Sequence, residues 1–274
     1  MPPTALALAL AAAFVHALWN LLLARARDIE AATAVALVVA VAAFALPAAL
    51  SWDVDRRVWP YVTASAALEL TYYTLLAAAY RRAEFSVVYP IARGSAPVLV
   101  LGVAVAALGV STSWQQGAGV ALVACGIVFV RGLTPGAKPS GAVFGLVIGA
   151  VIAAYTLVDK SGLRHAAPVS YLELTMVPPT IAYAAAAAAR KGLGALRTEV
   201  NLSTVVAGLA TFGAYALVLA ALKLAPAASV AAVRETSVII ATAFAHAFLK
   251  ERVGWKRAAG AAAVVAGVGL LSLA

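Results

Sequence analysis

Residues 89–119 read YPIARGSAPVLVLGVAVAALGVSTSWQQGAG, and residues 230–260 read VAAVRETSVIIATAFAHAFLKERVGWKRAAG. Laid over each other so that Arg93 falls on Arg234, the stretches also align Trp114 with Trp255 and Gly119 with Gly260. Further on, Gly126 falls on Gly267. One pattern therefore occurs twice, and a chain that repeats itself folds as repeated units. Each copy carries an arginine inside an apolar run, and in the second copy Glu235 follows it directly.

Composition names the solvent. Of 274 residues, 64% are hydrophobic and 11% are charged. A soluble domain carries roughly 25% charged residues, so the chain belongs in lipid. Charge clusters and Pro/Gly punctuation divide it into ten apolar runs: 4–24, 31–51, 60–81, 85–108, 113–131, 140–160, 168–189, 203–223, 226–249 and 254–273. About 20 apolar residues cross a bilayer as a helix. The runs are continuously apolar, where barrel strands would alternate. The expected fold is all-α and integral to the membrane.

Each copy of the pattern holds five runs. Five is odd, so the second copy enters from the opposite side of the membrane. The expected architecture is ten transmembrane helices in two inverted five-helix repeats, residues 1–136 and 137–274. They meet in TPGAKPSG, residues 134–141, whose Pro/Gly content suits a linker. The N-terminal run lacks the positive leader of a signal peptide and is read as the first span. Inverted repeats place substrate near the bilayer midplane, between the halves.

The net charge of +9 would suggest nucleic acid in a soluble protein. Here no basic aromatic patch or helix-turn-helix pattern supports that, and no nucleic acid partner is expected. The Lys and Arg residues concentrate in the loops after odd-numbered runs. By the positive-inside rule this puts both termini outside the cytoplasm of a multi-pass plasma (inner) membrane protein. The single cysteine, Cys125, cannot form an intramolecular disulfide. The lipid bilayer is the obligatory surrounding, and the chain is expected as a monomer or homodimer.

The intramembrane charges are the functional signal. An arginine at the centre of a membrane helix costs roughly 2.5–3.5 kcal/mol on insertion scales, so Arg93 and Arg234 must face the bundle interior and find partners. Carboxylates at comparable depth are Glu69, Glu235 and Glu173. Neighbours on a helix point about 100° apart, so Arg234 and Glu235 are expected to pair separately across helices. Arg93 is expected to join Glu69. Pro90 and Pro97 bracket Arg93 and predict a broken helix there. Tyr72, Tyr73, Tyr89, Trp19, Asn20 and Tyr155 are candidates to line the same space, together with His16 and Asp159. Trp52, Trp59, Trp114 and Trp255 read as interfacial anchors. The plain alternative is a set of ion pairs that only fixes helix packing.

The closing segment LKERVGWKRAAGAAAVVAGV, residues 249–268, resembles the end of the EamA-type proteins of the drug/metabolite transporter superfamily. In that pattern a Gly-Glu-Arg turn precedes a glycine-rich last helix; here Lys250 replaces the glycine, and Glu251 and Arg252 keep the other two positions. The first half departs, with Val110 where a glutamate is expected. The resemblance spans the chain. It implies an alternating-access carrier whose cavity is lined by spans one, three, four, six, eight and nine. Relatives with a comparable arginine in ARGSAP resemble proteins encoded beside phosphonate-use genes.

The expected function is secondary transport, as export, of a small anionic or zwitterionic metabolite of amino acid, carboxylate or phosphonate type. A proton is the candidate coupling ion, with Glu69 or Glu235 as its carrier. No cofactor, metal site or catalytic residue is expected. A membrane enzyme acting on lipid phosphate would want a metal-binding acidic cluster, and neither such a motif nor a Walker motif occurs. A non-transporting membrane subunit would not need the paired arginines.

Overall fold

The computed structural model describes residues 1–23, 26–82, 85–131, 139–240, 243 and 255–273. The α-helices bounded among them are α1 Pro3–Leu23, α2 Ile29–Leu50, α3 Trp59–Arg82, α4 Phe85–Ala106, α5 Trp114–Arg131, α6 Pro139–Gly162, α7 Pro168–Thr198, α8 Leu202–Leu224, α9 Ala227–Arg234 and α10 Trp255–Leu273. A 3-10 turn at Arg56–Val58 leads into α3. Among the described residues the one β-pairing is an isolated antiparallel bridge between Val54 and Ala166.

Four described helices are long and apolar enough to cross a membrane: Pro3–Leu23, Ile29–Leu50, Ser140–Gly162 and Leu202–Leu224. Shorter apolar stretches fall in α4, α5 and α10. Nine of the ten expected runs correspond closely to a helix. The ninth run departs: α9 stops at Arg234, helix resumes over 237–240, and most of the remainder of that run lies outside the described residues. The seventh continues past its expected end, and Gly192, at φ 79° and ψ 154°, bends it there. A side chain rarely adopts that positive φ, and glycine does so freely.

The helices pack through small residues. Ala5, Ala9, Ala12, Ala13 and Ala17 are the buried face of α1, which lies along α8. Helices in lipid associate where small side chains let backbones approach. The same device joins α5 to α10. A Cβ on Gly126 would lie 2.7 Å from the Gly260 carbonyl oxygen, and one on Gly267 would lie 2.7 Å from that of Gly119. The glycine correspondence between the two copies of the pattern is thus the contact between their last helices. Trp52, Trp59, Trp114 and Trp255 are exposed at helix ends, as interfacial anchors would be.

Most of the larger interhelix contacts obey an exchange rule. Replacing α1–α5 by α6–α10 and the reverse turns the α1–α8 contact into α6–α3, and both are present. It likewise turns α2–α8 into α7–α3 and α4–α6 into α9–α1, while α2–α7, α4–α9 and α5–α10 map onto themselves. A two-repeat architecture accounts for these pairs, while α7–α8 and α5–α9 have no comparable counterpart among the described residues.

Two joints tie loops of opposite halves. The Asp55 N–H donates to the His165 carbonyl at 2.8 Å, the Ala167 N–H donates to that of Asp53 at 2.8 Å, and Tyr61 stacks on His165. The exchange-related joint is ionic. Lys191 Nζ lies 2.8 Å from Asp28 Oδ2, Arg190 pairs with Glu30, and the Asp28 N–H donates to Glu199 at 3.0 Å. Asp28 also caps α2, accepting from the Glu30 and Ala31 N–H groups at 3.1 and 3.2 Å. Lys191 and those backbone donors hold the Asp28 carboxyl below its usual range.

Packing and capping can each be probed by substitution. Gly126→Ala drives a methyl into the backbone of α10 and should lower stability by about 1–3 kcal/mol, whereas Gly117→Ala, with nothing within 4 Å, should be near neutral; thermal inactivation in detergent compares them. Asp28→Ala should cost about 1 kcal/mol through the cap, and Asp28→Asn should retain most of that. Because the folded carboxyl is depressed, its stabilisation is full above the unfolded pKa of about 3.9 and is lost as pH falls through the folded value. Inactivation rates measured against pH should show that loss in wild type and not in Asp28→Asn.

Candidate functional site

The site begins at the end of α9. The Glu235 N–H donates to Ala232 at 3.1 Å and the Thr236 N–H to Val233 at 3.0 Å, so the helix tightens from four-residue to three-residue bonds. No proline or glycine stands there. The Thr236 hydroxyl donates to the Val233 carbonyl at 2.8 Å, a back-bond of the kind that bends helices. The tightened turn brings sequence neighbours together. Arg234 Nη2 reaches Glu235 Oε1 at 3.3 Å, and Arg93 Nη1 reaches the same oxygen at 3.1 Å.

That arrangement corrects two expectations. Arg234 and Glu235 do not pair separately across helices, because the chain leaves α-helical geometry at that point. Arg93 pairs with Glu235 and not with Glu69. A third correction concerns the break. Pro90 and Pro97 do not interrupt α4, which is continuous from Phe85 to Ala106. Each proline withdraws one N–H from the ladder, a loss that surrounding helices make tolerable inside a bundle. The interruption lies in α9.

Arg93 is set by a close helix contact. Gly145 and Gly149, one turn apart on α6, leave α4 room to approach: a Cβ on Gly145 would lie 2.9 Å from the Val88 carbonyl oxygen. From α1, His16 Nε2 lies 2.7 Å from Arg93 Nη2. Trp19 Nε1 lies 3.3 Å from His16 Nδ1. Both neighbours are donors only, and a neutral imidazole offers one lone pair. The shorter contact claims it, so His16 sits here neutral and accepts from Arg93. All three charged groups are buried: Arg93 is 5% exposed, Arg234 6% and Glu235 0%.

The opposite flank is acidic. Asp159 of α6 is 0% exposed and Glu69 of α3 is 4% exposed. Asp159 Oδ1 accepts from the Ser65 hydroxyl at 2.6 Å and the Tyr171 hydroxyl at 3.1 Å. The Tyr215 hydroxyl of α8 lies 2.7 Å from Asp159 Oδ2 and 3.1 Å from Glu69 Oε1. Gly162 makes space for the Tyr171 ring, which a Cβ there would strike. The charge of Arg234 reaches both carboxyl groups and the Tyr155 hydroxyl. Tyr155 therefore stands between the basic and acidic flanks, its ring 6.5 Å from Tyr215 and 6.3 Å from Tyr72. Tyr73 extends the aromatic wall, 5.3 Å from Tyr72.

Of the residues expected from sequence, Arg93, Arg234, Glu235, Glu69, Tyr72, Tyr73 and Tyr155 fall in this one region. Trp19 touches it through His16. Asn20 donates to the His16 carbonyl of its own helix at 2.8 Å. The Tyr89 side chain and all of His246 lie outside the described residues. Glu173 stays apart on α7, with Oε2 buried and unpartnered. Sequence reasoning passed over Tyr215, Tyr171 and Ser65. A lone tyrosine in an apolar span, as Tyr215 is in α8, was the available signal.

Among the described residues, the basic flank holds buried polar atoms without a hydrogen-bond partner. Arg234 Nε, Glu235 Oε2, Ser229 Oγ and Ser237 Oγ are buried without a hydrogen-bond partner. A buried polar group left unpaired costs about 1–3 kcal/mol, and four between Ser229 and Ser237 mark a place built to meet something polar. Among the described residues, no cluster of three His, Cys, Asp or Glu side chains could hold a metal ion.

Comparison with known proteins agrees with this architecture. The family model described as "EamA-like transporter family" matches twice, over residues 3–132 and 139–273. A solved structure titled "Crystal structure of protein" is similar over 100% of this chain and 98% of its own, with a TM-score of 0.77 and 14% identity. At that identity the likeness concerns the fold. Among curated proteins, none matches the chain.

The charge arrangement predicts an asymmetry between variants. Glu235→Gln leaves two buried guanidinium groups facing each other and should cost about 3–5 kcal/mol. Arg234→Gln should cost less, because Arg93 retains the shorter bond to Glu235. Half-lives of the purified variants at one elevated temperature rank the two.

Proposed function

Since the chain belongs to the EamA-like transporter family, we propose that it is a secondary transporter of a small zwitterionic metabolite, of amino acid or aminophosphonate type, working by alternating access. The observation that carries the reading is a buried site with a basic flank and an acidic flank. Two arginines share one glutamate at the first, and unsatisfied polar atoms surround it. Two carboxyl groups share one tyrosine at the second.

Arg234 is the substrate-binding cation. Its bond to Glu235 is the longer of the two and its Nε has no partner, so a substrate carboxylate or phosphonate would meet a planar donor fork. Arg93, held by Glu235 and His16, supplies fixed positive charge behind it. The substrate ammonium would face Glu69 and Asp159, with Tyr155 and Tyr72 as walls. Glu235 offers its second oxygen to any donor on the substrate. Neutralising each end of a zwitterion recovers the desolvation that would otherwise bar it from an apolar interior.

The ten helical segments act as two inverted five-span repeats, bounded near residue 136, with the site on the two-fold axis between them. The exchange rule among helix contacts supports that reading. The joint at residues 53–55 and 165–167 and the joint at residues 28–30 and 190–199 are exchange-related, so they lie at opposite faces and serve as the two gates. Loop charge orients the ionic joint toward the cytoplasm of a plasma (inner) membrane and both termini away from it. Export is the direction we assign.

A thermal-shift screen in detergent tests the substrate class, using neutral amino acids, aminophosphonates, simple carboxylates and simple amines. A zwitterion should stabilise wild type by mass action, and Arg234→Gln should abolish the shift. Simple carboxylates should stabilise less than the matching amino acid. Stabilisation by amines alone, unchanged in Arg234→Gln, overturns the reading.

A further inference from the structure

Counting protons on the acidic flank gives more than a binding surface. Tyr215 has one hydroxyl proton and lies within hydrogen-bond distance of two carboxyl groups. It can donate to one of them only. Asp159 takes it: that contact is the shorter, at 2.7 Å, and the other Asp159 oxygen already accepts from Ser65 at 2.6 Å and Tyr171 at 3.1 Å. A carboxyl that receives three O–H donors is the ionised one. The remaining contact, 3.1 Å between Glu69 Oε1 and the Tyr215 oxygen, then needs a proton from Glu69. We infer that Glu69 holds a proton and donates it to Tyr215, which donates in turn to the Asp159 carboxylate, so that the three form a proton-binding site at the centre of the bundle.

The surroundings fit one proton and not two or none. Two carboxylates this close, bridged by one oxygen, cannot both ionise cheaply in an apolar site. Two protons would leave the Ser65 and Tyr171 hydroxyls donating to a neutral acid. The charged and titratable groups facing the pair are Arg234 from α9, Tyr155 from α6, Tyr171 from α7, Tyr215 from α8 and Tyr72 and Tyr73 from α3; Arg93, Glu235 and His16 stand behind Arg234. With one proton on Glu69, Asp159 contributes one negative charge. The group of Arg93, Arg234 and Glu235 contributes one positive charge. The resting site is then neutral overall, which a low-dielectric interior favours. In the transfer step the Glu69 O–H bond breaks, the proton passes to water admitted by an open gate, and Glu69 is left as carboxylate. Recharging from the other gate reverses it.

Infrared difference spectroscopy on the full chain in lipid nanodiscs, in H2O and D2O near neutral pH, tests the proton without a substrate. The expected result is a carboxylic acid C=O band that shifts in D2O. Glu69→Gln should remove it. Asp159→Asn should weaken it at the same pH, because the like charge that keeps the proton on Glu69 is gone. Tyr215→Phe should displace its frequency, and Glu173→Gln should leave it unchanged. A wild type with no such band overturns the proposal, whatever the variants do. So does a band that survives Glu69→Gln, or one that sodium chloride displaces and potassium chloride does not, which would make the flank a sodium site. The substrate reading stands or falls separately on the ligand screen with Arg234→Gln.

Discussion

Two guanidinium charges enclosed by apolar helices cannot stand alone, and one carboxylate oxygen, Glu235 Oε1, answers both. The rest of the centre is arranged around that contact. The end of α9 leaves α-helical geometry so that Arg234 and Glu235 can converge. The glycines of α6 draw α4 close enough for Arg93 to reach the same oxygen. His16 gives Arg93 a neutral acceptor, which adds no further charge to neutralise. Arginine at such depth costs roughly 2.5–3.5 kcal/mol on insertion scales, and buried pairs recover that only with good geometry. The longer bond and unpartnered Nε of Arg234 leave this end incompletely satisfied among the described residues.

Helix positions were legible in the sequence, because a run of apolar residues bounded by charges has one physical outcome in lipid. The glycines that recur in both copies of the pattern were visible as small residues on one helix face, but that they pack α5 against α10 was not. The residues that converge were legible by kind: charges and tyrosines in apolar spans have nowhere else to go. Their pairing was not. Reading Arg234 and Glu235 as divergent assumed a regular helix, and Thr236, whose hydroxyl competes for the Val233 carbonyl, was the clue to its end. Prolines drew attention to α4, yet a proline marks a missing donor and does not by itself end a helix within a bundle. Tyr215 escaped because one tyrosine says nothing of what lies opposite until the helices are placed.

The two flanks of the site divide the work of charge. On the basic side the protein supplies more donors than it uses. On the acidic side the hydroxyls of Ser65, Tyr171 and Tyr215 all reach Asp159, and that of Tyr215 reaches Glu69 as well. Tyr155 lies within the reach of the Arg234 charge and has its ring 6.5 Å from that of Tyr215, so the flanks are adjacent. The loop joints add a second contrast, since one is made of backbone hydrogen bonds and a ring stack while the other is made of exposed ion pairs. Salt screens exposed pairs, so the two joints differ in what loosens them.

Helices exchange under the two-fold relation, but their chemistry does not. In the register that places Arg93 on Arg234, Glu235 falls on Gly94, Glu69 on Ala210 and Asp159 on Leu18. A fully symmetric pocket on a two-fold axis would offer a ligand two equivalent poses, head to tail and tail to head. These substitutions remove that degeneracy. They make the basic and acidic flanks of the site chemically distinct and not interchangeable. Under the proposed function, a dipolar substrate would be gripped only one way round and released to either side still pointing in the direction in which it was taken up.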